Sequence, residues 1–266
     1  MSRAISFDYS RIMSLSHPEI TVLDFDGTYA QQPELCARYE HRWIDFHALR
    51  QTSRYCSEAS FRAIQRALPS GDATPITLIG SGNYHYAALA RIARLTRPFT
   101  LVLFDHHTDC YESALPGLLS CGSWIRHAFL NLSLLAHAVV IGPPADATRQ
   151  VPPELRQRIH FVSELPTTTP ERLWSTIPTD DVYLSIDKDV FSPALVRTDW
   201  DQGDFTLDSV EPVIHTLLDS HHICGVDICG ERPASPLETL RPDVHDAIVH
   251  NEQANQRLLD ALLGAS

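Results

Sequence analysis

The residues best suited to chemistry lie in one short run. Asp105, His106, His107 and Asp109 fall within five positions, directly after the apolar, β-favouring stretch Leu101 to Phe104. An apolar run without alternation reads as a strand buried on both faces of a parallel sheet. Ligands of open α/β sheets gather at the carboxyl ends of such strands. Carboxylates and imidazoles crowded there are costly to bury unless a counter-charge compensates them, and a divalent metal uses both ligand types. The same D-x-H-x-D run also fits a solvated loop whose aspartates cap the next helix. Ligands at other strand ends decide between the two.

Two more strand ends supply them. Ile76 to Ile79 reads as a strand, and Gly80-Ser81-Gly82-Asn83-Tyr84-His85 follows it. Val182 to Ile186 reads as another, ending in Asp187-Lys188-Asp189. His85, Asp105, His107, Asp109, Asp187 and Asp189 are therefore the expected metal ligands, with His106 as a packing neighbour. This mainly hard donor set, free of thiolate, suits Mn²⁺, or Fe²⁺, Co²⁺ or Ni²⁺, better than a structural zinc site.

The scaffold follows from the remaining pattern. Strands are expected at Ile20 to Leu23, Ala138 to Ile141, Ile159 to Val162 and Ile223 to Ile228. Helical spacing runs through Glu34 to Arg50, Ser57 to Leu68, Tyr84 to Leu95, Trp124 to Leu135, Glu154 to Arg158, Pro170 to Thr176, Thr206 to Leu218 and Asp243 to Leu263. Alternating strands and helices indicate βαβ units and a mainly parallel sheet. With no repeat and no long linker, a single domain over residues 1–266 is expected.

Composition bounds the function. The 266 residues carry 44% hydrophobic and 20% charged side chains, an ordinary globular balance. A net charge of -12 argues against nucleic acid or an anionic membrane as partner. Lys188 is the only lysine. No stretch approaches the ~20 apolar residues of a membrane span, and the first residues lack a signal-peptide core. The six cysteines form no C-x-x-C pair, so reduced thiols in a cytoplasmic protein are expected.

The ordered motifs G-S-G-N-Y-H, D-H-H-T-D and S-I-D-K-D resemble the signatures of the arginase/agmatinase (ureohydrolase) family, over about Ile76 to Pro233. The resemblance implies a three-layer α/β/α fold and a site for two Mn²⁺ ions per chain, with Asp105 and Asp187 bridging. His85 and Asp109 would complete one metal, and His107 and Asp189 the other. It further implies water activation by the metals, a small guanidino or arginine-containing peptide substrate, and homo-oligomers.

Departures from the family pattern concern the substrate. Cys121 stands where the family has a catalytic-loop histidine, and Tyr111 where arginase brings an asparagine to the free amino acid's carboxylate. Glu231 lies one position out of register with the family's guanidinium-binding glutamate, and Asp201 falls near its substrate-facing threonine. Asp109, Cys121 and Glu231 are thus the expected catalytic residues, and Tyr111, Asp201, Asp227 and Glu231 the expected substrate contacts. The loop Thr198 to Asp204 should overhang the pocket. The pattern looks more like a divergent branch that turns arginine into ornithine within peptides, with urea released.

Three other readings compete. Asp24-Phe25-Asp26-Gly27-Thr28 looks like the haloacid-dehalogenase phosphatase signature, with Asp24 as nucleophile, Asp26 as acid and Lys188 as a later motif. Against it, Thr198 to Gly203 is polar where a buried strand should stand. A deacetylase of related architecture would need one metal and a histidine pair. A non-enzymatic metal-binding or interaction protein is the third.

Overall fold

A computed structural model describes residues 20–69, 76–113, 117–165 and 171–264. Eight strands form one sheet: β1 (Ile20–Asp24), β2 (His41–Asp45), β4 (Ile76–Gly80), β5 (Phe99–Phe104), β7 (Leu135–Ile141), β8 (Ile159–Val162), β9 (Asp181–Asp187) and β10 (His222–Cys229). Their order is β2-β1-β4-β10-β9-β5-β7-β8, and every adjacent pair is parallel. The short antiparallel pair β3 (Tyr55–Cys56) and β6 (Leu119–Ser120) lies outside this sheet.

Side-chain alternation along the strands divides the core into two layers, because neighbouring residues point to opposite faces. In β5, Leu101 and Leu103 join Ile64 of α2 (Glu58–Ala67), Ala88 and Leu89 of α3 (Ala87–Ile92), and Trp124 and Ile125 of α4 (Trp124–Asn131). Val102 and Phe104 face the other way. They pack in the layer that holds Leu35 of α1 (Pro33–Arg38), Val210 and Ile214 of α7 (Leu207–Ser220), and Leu258 and Leu259 of α8 (Pro242–Leu263). The short helices α5 (Pro153–Arg156) and α6 (Glu171–Trp174) complete the set. The expected three-layer α/β/α architecture is therefore the observed one. Truncating a fully buried side chain such as Phe104 to alanine should cost about 3–5 kcal/mol.

The stretch Glu34 to Arg50, expected to be helical, divides instead. Its helix ends at Arg38, Tyr39 is extended, and His41–Asp45 pairs with β1 as the edge strand. Trp43 and Ile44 are good strand formers, and the free edge of β1 rewards extension over a second helical turn. The helix begun at Trp124 also stops early, at Asn131, where extended Leu132 leads into β7. Pro170 and the first 19 residues lie outside the described residues.

Parallel pairing sets the strand ends level. Cys229 of β10 is in register with Gly80 of β4 and Asp187 of β9, and Phe104 of β5 with Ile186 of β9. The residues following β4, β5, β9 and β10 therefore share one edge.

Candidate metal centre

Ser81 caps the 3-10 turn Gly82–Tyr84 after β4, accepting a hydrogen bond from Asn83 N, and the turn aims His85 back over the sheet. Gly82 permits this approach, since a Cβ there would lie 3.0 Å from Asp187 Oδ2 and 3.1 Å from Trp200 Cδ1. His85 is buried, and its Nδ1 has no hydrogen-bond partner. That atom faces Asp109 Oδ2 at 3.0 Å and the Oδ2 atoms of Asp105 and Asp187 at 3.4 Å each.

On the other side of the ring, Nε2 meets Ser185 Oγ at 2.9 Å, and that hydroxyl donates to Asp227 Oδ1 at 2.7 Å. A hydroxyl has one proton to give. Ser185 therefore accepts from His85 Nε2–H, which reserves Nδ1 for the cation, a proton or a metal, that the three carboxylates call for. Such fixing of the tautomer is how partners of metal-ligating histidines act.

After β5, Asp105 Oδ1 accepts from His107 N, which curls the segment, and Asp109 takes a left-handed backbone with φ +47°. Asp109 Oδ2 accepts a 2.7 Å hydrogen bond from Trp124 Nε1. His107 Nδ1 lies 2.8 Å from Asp189 Oδ2 and 3.5 Å from Asp105 Oδ1. After β9, Asp187 Oδ1 accepts from Asp189 N at 3.0 Å, while Asp189 Oδ1 accepts from His106 N at 2.9 Å.

The six expected ligands thus come together. Five of them form two groups with metal-ligand spacing, His85/Asp105/Asp109 and Asp105/His107/Asp189, which share Asp105, and Asp187 falls in a third. That third group, His85/Asp187/Cys229, adds a thiol that sequence reading passed over; Cys229 Sγ is 3.1 Å from Asp187 Oδ2. Its signal was present, since Asp227 and Cys229 alternate onto one face of β10 as Ser185 and Asp187 do on β9.

Electrostatics marks the same spot for a cation. Burial, then the neighbouring Asp105 carboxylate, pushes Asp109 up to about 6. Burial and the charges of Asp187 and Asp105 hold Asp189 well above the ordinary carboxylate range. Burial would depress the His85 imidazolium, but Cys229 and the three facing carboxylates reverse this and favour positive charge there. Donor chemistry, the orphaned Nδ1 and the likewise unpaired Asp105 Oδ2 all fit divalent cations.

A cavity of about 300 Å³ opens above this floor, lined by His107, Asp109, Asp187 and Asp189 and walled by Arg54, Tyr55, Tyr111, Glu112, Cys121 and Trp200. Tyr111 and Cys121 therefore both line this cavity. Burial, then Asp109, pushes the Cys121 thiol up to about 12, so it stays protonated at neutral pH. It cannot cycle a proton there as imidazole does.

Other expected contacts lie elsewhere. Glu231 is buried away from the cavity wall, bonded to the Lys188 ammonium, to Gln32 Nε2 at 2.9 Å and to Asn255 Nδ2 at 2.7 Å. The preceding position is Gly230, where a Cβ would sit 2.5 Å from Asp187 Oδ1, so a side chain is excluded. Asp227 is fully buried under Ser185 and does not line the cavity. Asp201 is exposed, and its neighbour Trp200 is the loop residue that covers the pocket.

The phosphatase-like motif is structural in its contacts. Asp24 accepts from Gly27 N at 2.7 Å and Trp43 Nε1 at 3.1 Å, while the Lys188 ammonium pairs with Glu231.

Comparisons with known proteins agree with this geometry. The family model described as Arginase family matches residues 28–236. An uncharacterized protein of Thermotoga maritima is 33% identical over 249 residues, covering 92% of this chain and 90% of that one. Proclavaminate amidino hydrolase from Streptomyces clavuligerus superposes with a TM-score of 0.64 at 17% identity, over 96% of this chain and 94% of that chain. Arginase from Bacillus subtilis gives 0.63 at 13% identity, over 94% and 99% respectively. At these identities the solved structures speak to the fold.

Proposed function

The chain belongs to the arginase family, and from that premise we propose that it is a binuclear ureohydrolase that cleaves a guanidino C–N bond. The carrying observation is the pair of ligand groups that share Asp105. His85, Asp105, Asp109 and Asp187 would hold one Mn²⁺, and Asp105, His107, Asp187 and Asp189 the other. When bound, such a pair supplies Lewis acidity that activates water and polarises the attacked carbon.

The chain's own side chains do the rest. Trp124 fixes Asp109, and the Ser185–Asp227 pair fixes His85. Tyr111 and Trp200 flank the cavity with flat aromatic surface suited to a planar guanidinium. Water oxygen bonds to the guanidino carbon, the bond to the chain nitrogen breaks, and that nitrogen leaves as the amine with the proton water released. Urea is the second product.

The substrate we propose is an arginine side chain within a peptide, giving ornithine, or a small guanidino compound of similar length. Tyr111 in place of an asparagine supports this reading, as does a mouth bordered by exposed Arg54 and Tyr55. Among the described residues no helix is long and apolar enough to cross a membrane. We place the enzyme in the cytoplasm and expect a homo-oligomer.

Manganese-loaded protein should release urea from at least one of an arginine-containing peptide, agmatine and arginine, with two metals per chain by elemental analysis. No urea from any of them overturns the reading, and one metal per chain favours deacetylase-like chemistry.

A further inference from the structure

Arg54 borders the cavity above the metal-ligand cluster, and its backbone is held in an unusual shape. Its φ is +64°, one of three positive values at non-glycine residues among those described, the others being Gln51 and Asp109. A long side chain in the left-handed region is uncommon, and such residues concentrate where function fixes a side chain. Arg54 N donates to Asn83 O at 3.0 Å, and Arg54 O accepts from Cys121 N at 2.9 Å. The residue is thereby tied to both the turn after β4 and the Cys121 wall.

The side chain is equally constrained. Nε donates to Asn83 Oδ1 at 3.2 Å, and the guanidinium carbon lies 5.0 Å from the centre of the Trp200 ring. Asn83 is oriented in turn, because its Nδ2 donates to Asp199 Oδ2 at 3.0 Å. Asp199 Oδ1 accepts from Ser81 Oγ at 3.2 Å. Both oxygens of Asp199 are therefore engaged by other donors; Asp199 feels the Arg54 charge through space, but among the described residues no carboxylate lies within ion-pair distance of Arg54. With Nε bonded to Asn83 and the guanidinium carbon over Trp200, the two Nη groups remain for a ligand, a pair that can take a carboxylate in two parallel hydrogen bonds.

The sign of the charge matters in a pocket built for a guanidino group. A fixed cation at the mouth repels a substrate whose far end is an ammonium and attracts one whose far end is an anion. Glu112, the acidic residue of the same rim, is engaged by Arg126 at 3.6 Å.

We propose that Arg54 is a carboxylate-binding, specificity-determining residue, and that the substrate carries a free carboxylate at the end opposite its guanidino group. This rests on the ureohydrolase reading and narrows it. A peptide satisfies it through a C-terminal arginine, whereas an internal arginine presents a neutral amide.

Three probes with the same four-methylene guanidino chain isolate the end group: 5-guanidinopentanoate, its primary amide, and agmatine. With the manganese-loaded enzyme, kcat/KM for the carboxylate should exceed that for the amide by about tenfold to a hundredfold, mostly through KM, with agmatine lowest. Arg54→Gln should collapse this ratio toward one. Arg54→Lys, which keeps charge but loses the fork, should retain part of it. Melting curves establish that both variants fold, and either suffices to read the ratio.

Equal use of carboxylate and amide by the wild type, or an undiminished ratio in Arg54→Gln, overturns the proposal. Calorimetric binding of the same probes separates it from the reading beneath it. A carboxylate preference in binding that Arg54→Gln abolishes, without urea release, supports the subsite and overturns the hydrolytic assignment. Urea release with no end-group preference does the reverse.

Discussion

Ser185 Oγ lies 2.9 Å from His85 Nε2 and gives its own proton to Asp227, so the tautomer of His85 is set from behind the ring. All three residues are buried, and the link joins β9, β10 and the turn after β4. Ser185→Ala should release the ring to either tautomer and weaken metal binding by roughly tenfold to a hundredfold. Competition with a fluorescent chelator measures this. Unchanged affinity, with an unchanged circular dichroism spectrum, would show that Nδ1 is not held as a ligand.

Asp105 belongs to two of the three ligand groups, whereas Asp109 belongs to one. Asp105→Asn is therefore expected to lose both metals and Asp109→Asn chiefly one, by elemental analysis after gel filtration. Metal at a hundredfold excess over its dissociation constant should stabilise the fold by about 2.7 kcal/mol. For a chain of this size that raises Tm by roughly 5–10 °C. Equal loss in the two variants would contradict the shared-ligand arrangement.

Glu231 and Lys188 form a buried ion pair whose remaining acceptor capacity is filled by Gln32 and Asn255. Burial depresses the Lys188 ammonium while Glu231 opposes that shift, so the ammonium depends on Glu231. Lys188→Met should destabilise by about 3–5 kcal/mol, and adding Glu231→Gln should recover much of it. Urea denaturation of the single and double variants reads the difference. If Glu231→Gln abolished turnover at unchanged stability, Glu231 would be acting on substrate after all.

How far the site was legible follows from how each residue reaches it. Asp105, His107, Asp109, Asp187 and Asp189 follow apolar runs directly, so strand ends and short spacing locate them. Ser185 was readable in principle from the two-residue period that puts it on the face of Asp187. Glu231 is ambiguous in sequence because a charged residue near a strand end looks the same whether it faces a pocket or a buried lysine. Its direction is set by Gly230, which has φ +91° and no room for a side chain. Arg54 carried no local signal, since its neighbours Asn83, Cys121 and Trp200 are distant in sequence. The edge strand His41–Asp45 was hidden because helical and strand spacings overlap over five residues, and only pairing with β1 decides between them.

Buried thiols predict the alkaline limit of the fold. Cys56 and Cys110 are buried thiols. Burial, partly offset by a hydrogen bond involving Tyr86, raises Cys56 from 9.0 to about 11, and burial raises Cys110 to about 12. Below pH 9 these thiols are neutral in both folded and unfolded chains, so their contribution to stability is fully present. Above it the unfolded chain ionises first and releases protons that the native state retains, so stability falls as pH rises toward the folded values. Denaturant midpoints should therefore be level from pH 7 to about 8.5 and decline from about pH 9. Cys56→Ala should lessen the slope between pH 9 and 11, where the Cys56 contribution is lost. An identical slope in that variant would place the alkaline sensitivity elsewhere, with the buried tyrosines Tyr29 and Tyr183, also raised by burial, as the next groups to test.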